Sequence, residues 1–280
     1  MFQFKQFTIN QDRTAMKVGT DGVLLGAWAP IAPNASRLLD IGTGTGLIAL
    51  MLAQRFSKQS QDPKYCPPVL EGRAQQAEVV INTLNSLLNI DAIDIDQSSI
   101  EQATENIKNS PFAKYITTHH TSLQDYTTQE KYDAIVCNPP YFVASLKCPD
   151  AQRTQARHTD SLSFDDLLQH SARLLNDGGS LSVILPITEG NQLIELAQQY
   201  GFTLTHLTEV HPTPTSNPKR LLIHLIKCKI KNAQHIINTD KTSSNNFALC
   251  INNYKLVIEI SRHQYTPEYI TLTQDFYLKF

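Results

Sequence analysis

Residues 38–50, LLDIGTGTGLIAL, run from a short apolar stretch through a glycine-rich turn into a second apolar stretch. Gly42, Gly44 and Gly46 allow a tight strand-to-helix turn and let a ligand approach the backbone closely. A helix beginning near Leu47 would point its unpaired N–H groups at that ligand. This stretch therefore predicts a strand, a turn and a helix of an α/β fold, with a binding site where the strand ends.

The spacing of the glycines indicates which ligand the turn would accept. It is G-x-G-x-G, which differs from the G-x-G-x-x-G of dinucleotide-binding turns. Asp40 lies two residues before the first glycine, where its carboxylate would repel a pyrophosphate and attract a cation such as an α-amino group. The alternative is a tight turn that binds nothing.

A second strand-like stretch, residues 89–95, ends in acidic residues. Asp94 and Asp96 lie at its carboxyl end, where a carboxylate can accept two hydrogen bonds from a ribose diol. Both lie on the same face of the strand, so alternation favours Asp94 only weakly. A solvated strand end is the plain alternative. An amino acid and a ribose together describe S-adenosyl-L-methionine better than NAD or ATP.

Residues 132–143, YDAIVCNPPYFV, predict the catalytic corner. Two prolines cannot donate to a strand ladder, so the strand must stop there. Two acceptors, the Asn138 side-chain oxygen and the Pro139 carbonyl, would hold the N–H bonds of an exocyclic amine and free its lone pair for attack on a sulfonium methyl. An aromatic ring would stack on the base. The candidate catalytic residues are Asn138, Pro139, Pro140 and Tyr141, and an ordinary turn is the alternative.

Apolar runs alternate with amphipathic stretches from Arg37 to about Leu225, which predicts a doubly wound α/β fold with a mostly parallel, seven-stranded sheet. The predicted strands span 37–41, 89–95, 115–120, 132–137, 180–186, 203–210 and 220–228. The predicted helices span 47–55, 98–109, 164–176 and 189–200. Residues 211–219 alone join the last two strands, which predicts an antiparallel hairpin at one edge. Residues 176–179, NDGG, predict the end of a helix.

We predict a single domain over residues 1–280, which begins with an N-terminal motif, 1–36. Polar residues at about 56–77 and 231–246 predict a surface-loop insertion and a flexible loop. Neither reads as a domain linker, because the strands on either side need each other. Residues 247–280 predict a C-terminal extension docked on the domain.

The composition narrows the class of protein. A net charge of −2 and a pI near 6.5 argue against attraction of nucleic acid by the overall charge of the protein. Any nucleic acid would have to bind to local basic patches. No apolar run reaches the roughly 20 residues of a membrane span, and no signal-peptide core is visible. Five scattered cysteines without a CxxC pair, and nine histidines without HExxH, indicate neither a disulfide framework nor a metal site. We therefore expect a cytoplasmic, metal-free protein.

The order of DIGTGTG, an acid-ended strand and NPPY resembles the class I S-adenosylmethionine-dependent amino-methyltransferases, which modify adenine N6, cytosine N4 or a glutamine amide. A closer resemblance is to the bacterial tRNA1(Val) adenine-N6 methyltransferase family. The segments that carry it are FKQFTINQDRTAMKVGTDGVLLGAW (4–28), NPPYF (138–142), QRTQARHTDSL (152–162) and YTPEYITLTQDFYLKF (265–280). The resemblance implies methylation of the adenosine just 3′ of the anticodon, which leaves N6-methyladenosine.

The resemblance also implies that the MKVGTDGVLLGAW stretch lies over the cofactor. Lys17, Thr20 and Asp21 are then candidate cofactor contacts. From the residues alone, Thr20, Asp21 and Gly22 would cap a helix, and both interpretations can hold together.

The chain departs from the family after the third strand. Members of the family often carry an acid there, placed to meet the adenine of the cofactor. HHTSLQDY instead offers Ser122 and, three residues later, Asp125. Ser122 is a candidate cofactor contact, and neither residue is assigned to the adenine.

Residues 146–160, LKCPDAQRTQARHTD, predict a basic loop directly after NPPY. Such a loop can bind phosphates and hold a nucleotide that has left its stack. Its candidate RNA-binding residues are Lys147, Arg153, Arg157 and His158. Lys219 and Arg220 would add a second phosphate contact if the 211–220 connection lies on the same rim. A solvated charged loop is the alternative.

The leading hypothesis is an S-adenosylmethionine-dependent tRNA adenine-N6 methyltransferase that acts as a monomer. One rival is a glutamine-amide methyltransferase acting on a release factor, since NPPY suits amine and amide alike. A second rival is a non-catalytic, cofactor-dependent RNA-binding module. That module is disfavoured by the presence of Asp40, Asn138 and Tyr141. A protein that only binds RNA would not need an acceptor for the N–H bonds of the target amine at the corner.

Overall fold

The computed structural model describes residues 1–14, 16–59, 88–140, 162–228 and 252–280. Its strands are β1 (Phe2–Gln3), β2 (Thr8–Ile9), β3 (Arg37–Ile41), β4 (Asn89–Asp94), β5 (Ile116–His120), β6 (Tyr132–Cys137), β7 (Leu175–Pro186), β8 (Phe202–His211), β9 (Arg220–Lys227), β10 (Asn252–Val257), β11 (Glu259–Ser261) and β12 (Gln264–Tyr265). Its α-helices are α1 (Thr20–Trp28), α2 (Leu47–Gln59), α3 (Gln97–Lys108), α4 (Phe164–Leu174), α5 (Ile187–Ala197) and α6 (Pro267–Thr273). None of these helices is long and apolar enough to cross a membrane.

The central sheet has the strand order β10-β8-β9-β7-β6-β3-β4-β5. Neighbouring strands are parallel except at β9, which is antiparallel to both β7 and β8. This confirms the predicted α/β fold with a mostly parallel sheet and an antiparallel hairpin. Because all the other strands share one direction, their carboxyl ends lie along a single edge, which we call the carboxyl edge.

The sheet has one strand more than predicted. β10 pairs in parallel with β8, so the β8–β9 hairpin lies one strand inside the edge of the sheet. The first four residues of β10 are exposed, and their sequence, NNYK, has none of the apolar character of the inner strands. The alternation of apolar runs therefore did not predict a strand at β10.

Two apolar cores cover the two faces of the sheet, which explains why the inner strands are continuous apolar runs. One core joins β1, β2 and helices α1, α2, α3 and α6 to the first face. The other joins α4 and α5 to the second face. Except in β7, the observed strand bounds differ from the predicted ones by no more than one residue.

The NDGG segment is not the helix end that the sequence predicted. Helix α4 stops at Leu174 and strand β7 begins at Leu175, so NDGG lies inside the strand. The pairing register between β6 and β7 shifts there, and Gly178 has a φ of 81°. The glycines of NDGG therefore allow an irregularity within a strand, and they do not end a helix.

Helices α1 and α2 pack unusually close together. A Cβ on Gly26 would lie 2.8 Å from the sulfur of Met51, and a Cβ on Gly22 would lie 3.2 Å from a Leu47 methyl group. The two glycines are one helical turn apart and present a flat face to α2. The residue at the cap position of α1 is Gly19, with no side-chain cap bond, so the predicted cap by Thr20 and Asp21 is wrong.

The C-terminal end of the described chain contacts α2, and the N-terminal segment contacts that end. The Lys5 amide donates to the Phe276 carbonyl at 2.8 Å, and the Gln54 side chain of α2 donates to the Asp275 carbonyl at 2.8 Å. The insertion predicted at about 56–77 begins within α2, which runs to Gln59. Its remainder, from residue 60 on, and the 231–246 loop lie outside the described residues.

Candidate active site

Three neighbouring strands bring the predicted site residues to the carboxyl edge. β3 lies between β6 and β4, and Ile41 is in register with both Cys137 and Ile93. The residues that follow these three are Gly42 after β3, Asn138 after β6 and Asp94 at the end of β4. Because neighbouring strands are about 4.8 Å apart, the glycine turn, the acid-ended strand and the Asn-Pro-Pro corner open at one place.

The glycine turn is held in a backbone conformation that other residues rarely adopt. The φ angles of Gly42, Gly44 and Gly46 are 68°, 55° and 81°. A Cβ on Gly42 or Gly44 would meet nothing within 4 Å, so the space above these two residues is open. A Cβ on Gly46 would instead lie 3.4 Å from Ala103 of α3. The first two glycines face the open space, and the third also allows helix packing.

Asp40 is fully buried beneath this turn. Its Oδ2 accepts hydrogen bonds from the Thr43 hydroxyl at 2.7 Å and the Ala49 amide at 3.2 Å. Its Oδ1 is buried and has no hydrogen-bond partner among the described residues. Burial, with a smaller contribution from the nearby charge of Asp94, raises the pKa of Asp40 to about 7. A buried acceptor in this state gains strongly from a cationic donor.

Asp94 and Asp96 have separate roles. Asp94 Oδ2 accepts from the Gly44 amide at 2.9 Å, and its Oδ1 accepts from the Asp96 amide at 3.0 Å. Burial raises the pKa of Asp94. Asp96 caps α3 by accepting from the amides and hydroxyls of Ser98 and Ser99, which lower the pKa of Asp96. Only Asp94 therefore faces the glycine turn, a distinction that alternation along the strand could not make.

Ile95, between these two acids, is a candidate site residue that the sequence analysis did not single out. Its side chain is 58% exposed, although it follows a buried strand directly. An exposed branched apolar side chain beside Asp94 offers a surface for a flat ring. The only available signal was its position in AIDID, which periodicity alone assigns to the strand.

Asn106 of α3 is a second such residue. Its buried side chain donates to the Thr45 carbonyl of the glycine turn at 2.9 Å and to the Asn10 carbonyl at 2.8 Å. It also accepts from the Asn10 amide at 2.9 Å. Asn106 thus fixes the glycine turn to the N-terminal segment. Its place on the buried face of an amphipathic helix was the only sequence signal.

The Asn-Pro-Pro corner follows β6 as predicted. Asn138 is half-buried, Pro139 is buried and Pro140 is exposed, while Tyr141 lies outside the described residues. Cys137, immediately before the corner, is a free cysteine whose full burial raises the pKa of its thiol. The thiol is therefore protonated and is not a nucleophile.

The N-terminal candidates lie at different points around this site. Lys17 is exposed, and its ammonium donates to the carbonyls of Gln11 and, at 3.0 Å, Thr14. Thr20 is exposed in the first turn of α1. Asp21 forms an ion pair of 2.8 Å with Arg220. The structure thus joins two residues that the sequence assigned to different ligands, cofactor and RNA.

The remaining candidates lie further along the chain. Ser122 donates its hydroxyl to Asp125 at 2.6 Å and accepts from the Asp125 amide, so it stabilises its own turn. Lys219 is exposed beside Arg220. The candidates of the basic loop lie outside the described residues, namely Lys147, Arg153, Arg157 and His158. Within the described ranges, no group of three or more His, Cys, Asp or Glu could hold a metal ion.

Comparison with known proteins places the chain in a family. The model of the RMKL-like methyltransferase domain matches residues 36–210. The chain is 43% identical to the tRNA1(Val) (adenine(37)-N6)-methyltransferase of Parabacteroides distasonis, over 99% of this chain and 98% of that protein. It is 41% identical to the proteins of the same name from Flavobacterium psychrophilum and Trichodesmium erythraeum, in each case over 100% of this chain and at least 98% of the relative.

A solved structure supports the fold. It is described as a predicted O-methyltransferase from Agrobacterium tumefaciens and has a TM-score of 0.58 to this chain, with coverage of 91% of this chain and 96% of that one. At 18% sequence identity this likeness concerns the fold alone. The full-length relatives go further: the chain belongs to the family of tRNA1(Val) (adenine(37)-N6)-methyltransferases, with an RMKL-like methyltransferase domain at its centre.

Proposed function

We propose that this protein methylates the exocyclic N6 of an adenosine in tRNA, and that this adenosine is the one 3′ of the anticodon of tRNA1(Val). The observation that carries the proposal is the convergence of an acid-lined glycine turn and an Asn-Pro corner on adjacent strands at one edge of the sheet. The names of the full-length relatives supply the substrate.

The residues around the glycine turn fit S-adenosyl-L-methionine. The unpartnered Oδ1 of Asp40 would accept from an α-ammonium group, which also favours the charged form of a carboxyl with a raised pKa. Asp94 has spare lone pairs for a ribose diol, and exposed Ile95 would cover an adenine ring. The open space above Gly42 and Gly44 leaves room for the chain between them. When bound, the cofactor supplies an electrophilic methyl group on a sulfonium.

The target amine must also be made more nucleophilic, because its lone pair is delocalised into the aromatic ring. We propose that the Asn138 side-chain oxygen and the Pro139 carbonyl accept its two N–H bonds. Two acceptors in this arrangement favour a pyramidal nitrogen with a localised lone pair. Proline at 139 and 140 makes the corner rigid, so the acceptors are placed before the substrate arrives. The methylated amine then loses one proton to water, and no side-chain base is needed.

We further propose that residues 1–280 act as one domain and as a monomer. The C-terminal end contacts α2, and the N-terminal segment is hydrogen-bonded to that end. These contacts support a single unit, since neither end folds away from the core that holds the glycine turn. Sedimentation analysis of the full chain checks the monomer.

The direct test is to incubate the full chain with methyl-labelled S-adenosyl-L-methionine and unmodified total tRNA, followed by nucleoside analysis. We expect the label in N6-methyladenosine and in a fragment containing the anticodon loop. A release factor offered in a parallel reaction tests the glutamine-amide alternative. Label in a protein glutamine, or in no acceptor, would overturn the proposed function.

A further inference from the structure

Two neighbouring segments extend the carboxyl edge beyond the candidate site. One is the β8–β9 connection, residues 212–219, and the other is the β11–β12 hairpin with its tip, residues 259–265; together we call them the hairpin rim. Ile258 donates its amide to the His211 carbonyl at 2.9 Å, and Glu259 donates to the Pro212 carbonyl at 3.0 Å. Strand β9 is antiparallel to both β7 and β8, so β8 and β10 run parallel to β6. Both segments therefore emerge at the carboxyl edge, where Asn138 follows β6.

The hairpin rim presents unneutralised positive charge. Lys219 and Arg262 are exposed, and neither forms an ion pair with a described residue. Glu259 is the one acidic residue in the two segments, and it is only half-exposed. Ile260 adds an apolar side chain that is 57% exposed. Exposed cations can bind the phosphates of a nucleic acid, while a neighbouring exposed apolar side chain can contact a base or sugar edge.

His263, at the hairpin tip, strengthens this interpretation. Its φ is 64°, and it is the only non-glycine residue in the described ranges with a positive φ. Glycine or asparagine would adopt this conformation more readily, and an exposed imidazole gains no packing energy in return. A residue that costs conformational energy without stabilising the fold points to a use for its side chain. An imidazole can donate to a phosphate or stack on an unpaired base.

We infer that the hairpin rim binds the tRNA backbone beside the target nucleotide, an inference that rests on the proposed function. In the sheet, β8 and β10 lie three and four strands away from β6. At about 4.8 Å per strand, the rim lies on the order of 15–20 Å from Asn138. A stacked strand spans that distance in roughly five nucleotides. Arg262 and Lys219 then contact phosphates while the target adenosine occupies the corner at Asn138.

Three variants test the inference: Arg262→Ala, Lys219→Ala and His263→Gly. The matched control is Lys131→Ala, which removes an exposed cation just before β6, at the opposite edge of the sheet. We expect each cation variant to raise the KM for tRNA roughly three- to tenfold at unchanged kcat, and to reduce the slope of log affinity against log salt by about one. Lys131→Ala should change neither quantity.

His263→Gly separates binding from folding. Glycine relieves the left-handed strain, so the thermal midpoint should stay the same or rise while tRNA affinity falls roughly threefold. Unchanged tRNA affinity in Arg262→Ala and His263→Gly, with wild type still methylating tRNA, would overturn the inference and leave the proposed function intact. Failure of wild type to methylate tRNA would instead remove the proposed function itself.

Discussion

Among single residues, Asp40 fits the cofactor most specifically. Its carboxyl is fully buried, it lacks a partner on one oxygen, and its pKa is raised to about 7. The ionised form is thus costly until a cation arrives. At pH values below about 7 the carboxyl is neutral, and a ligand that needs the carboxylate must first displace a proton.

We therefore expect the affinity for S-adenosyl-L-homocysteine, which keeps the α-ammonium group, to fall as the pH is lowered from 7 to 5. The slope should approach roughly tenfold per pH unit, because ionising Asp40 becomes that much harder. Titration calorimetry at several pH values measures it. Asp40→Asn should bind weakly with a nearly flat profile, and parallel profiles in the two proteins would show that Asp40 does not face the ammonium.

Gly44 offers a second test with a matched control. Gly44 and Gly178 both have a left-handed φ and open space where a Cβ would lie, but only Gly44 belongs to the candidate site. Alanine at either position should cost roughly 1–2 kcal/mol in the free energy of unfolding. Only Gly44→Ala should also weaken cofactor binding, since its methyl group enters the space above the turn. Equal cofactor affinity in both variants would place the ligand elsewhere.

The sequence predicted which residues lie together at the candidate site better than it predicted the contacts that each one makes there. Asp40 and the glycines could be read from a local motif, because turn geometry and charge act within a few residues. The different contacts of Asp94 and Asp96 depend on where α3 begins. The exposure of Ile95 depends on which other parts of the chain pack near it. Neither property is encoded in the five letters of AIDID.

At the scale of elements, the N-terminal motif is explained partly by packing. Gly22 and Gly26 let α1 approach α2, the helix that follows the glycine turn. The MKVGTDGVLLGAW stretch therefore supports the position of the turn, in addition to any contact with the cofactor.

Gly26→Ala should destabilise the fold by roughly 1–3 kcal/mol, because its methyl group would overlap the buried Met51. Gly19→Ala is the control: its Cβ would meet nothing closer than a carbonyl at 3.9 Å, and its φ is not left-handed. Urea unfolding of both variants measures the difference. Equal stability would mean that α1 can move away from α2 without cost.

Apolar runs bounded by polar turns predicted the inner strands, since burial on both faces leaves a clear pattern. The pattern failed where that cause is absent. β10 covers an edge and is largely exposed, and NDGG combines a strand irregularity with residues typical of a helix end. Edge strands and bulges depend on neighbours that are distant in sequence.

In the molecule as a whole, contacts between residues that are distant in sequence join its elements. Asp21 and Arg220 are 199 residues apart in sequence and form an ion pair of 2.8 Å where α1 and β9 begin. Phe4 stacks near Tyr277 with ring centroids 6.0 Å apart, which joins the two ends of the chain. No local pattern predicts such pairs, so the sequence assigned Asp21 and Arg220 separately.

We propose that one cavity holds the methyl donor at the glycine turn and the target amine at Asn138. The decisive experiment is to measure both cofactor affinity and methyl transfer to tRNA in the Asn138→Ala variant. Asn176→Ala is the control, since Asn176 hydrogen-bonds Asp133, which follows the first residue of β6, away from the site. We expect Asn138→Ala to keep cofactor affinity within about twofold and to lose roughly two to three orders of magnitude or more in kcat. Equal loss of affinity and rate, or transfer at the wild-type rate, would contradict this proposal.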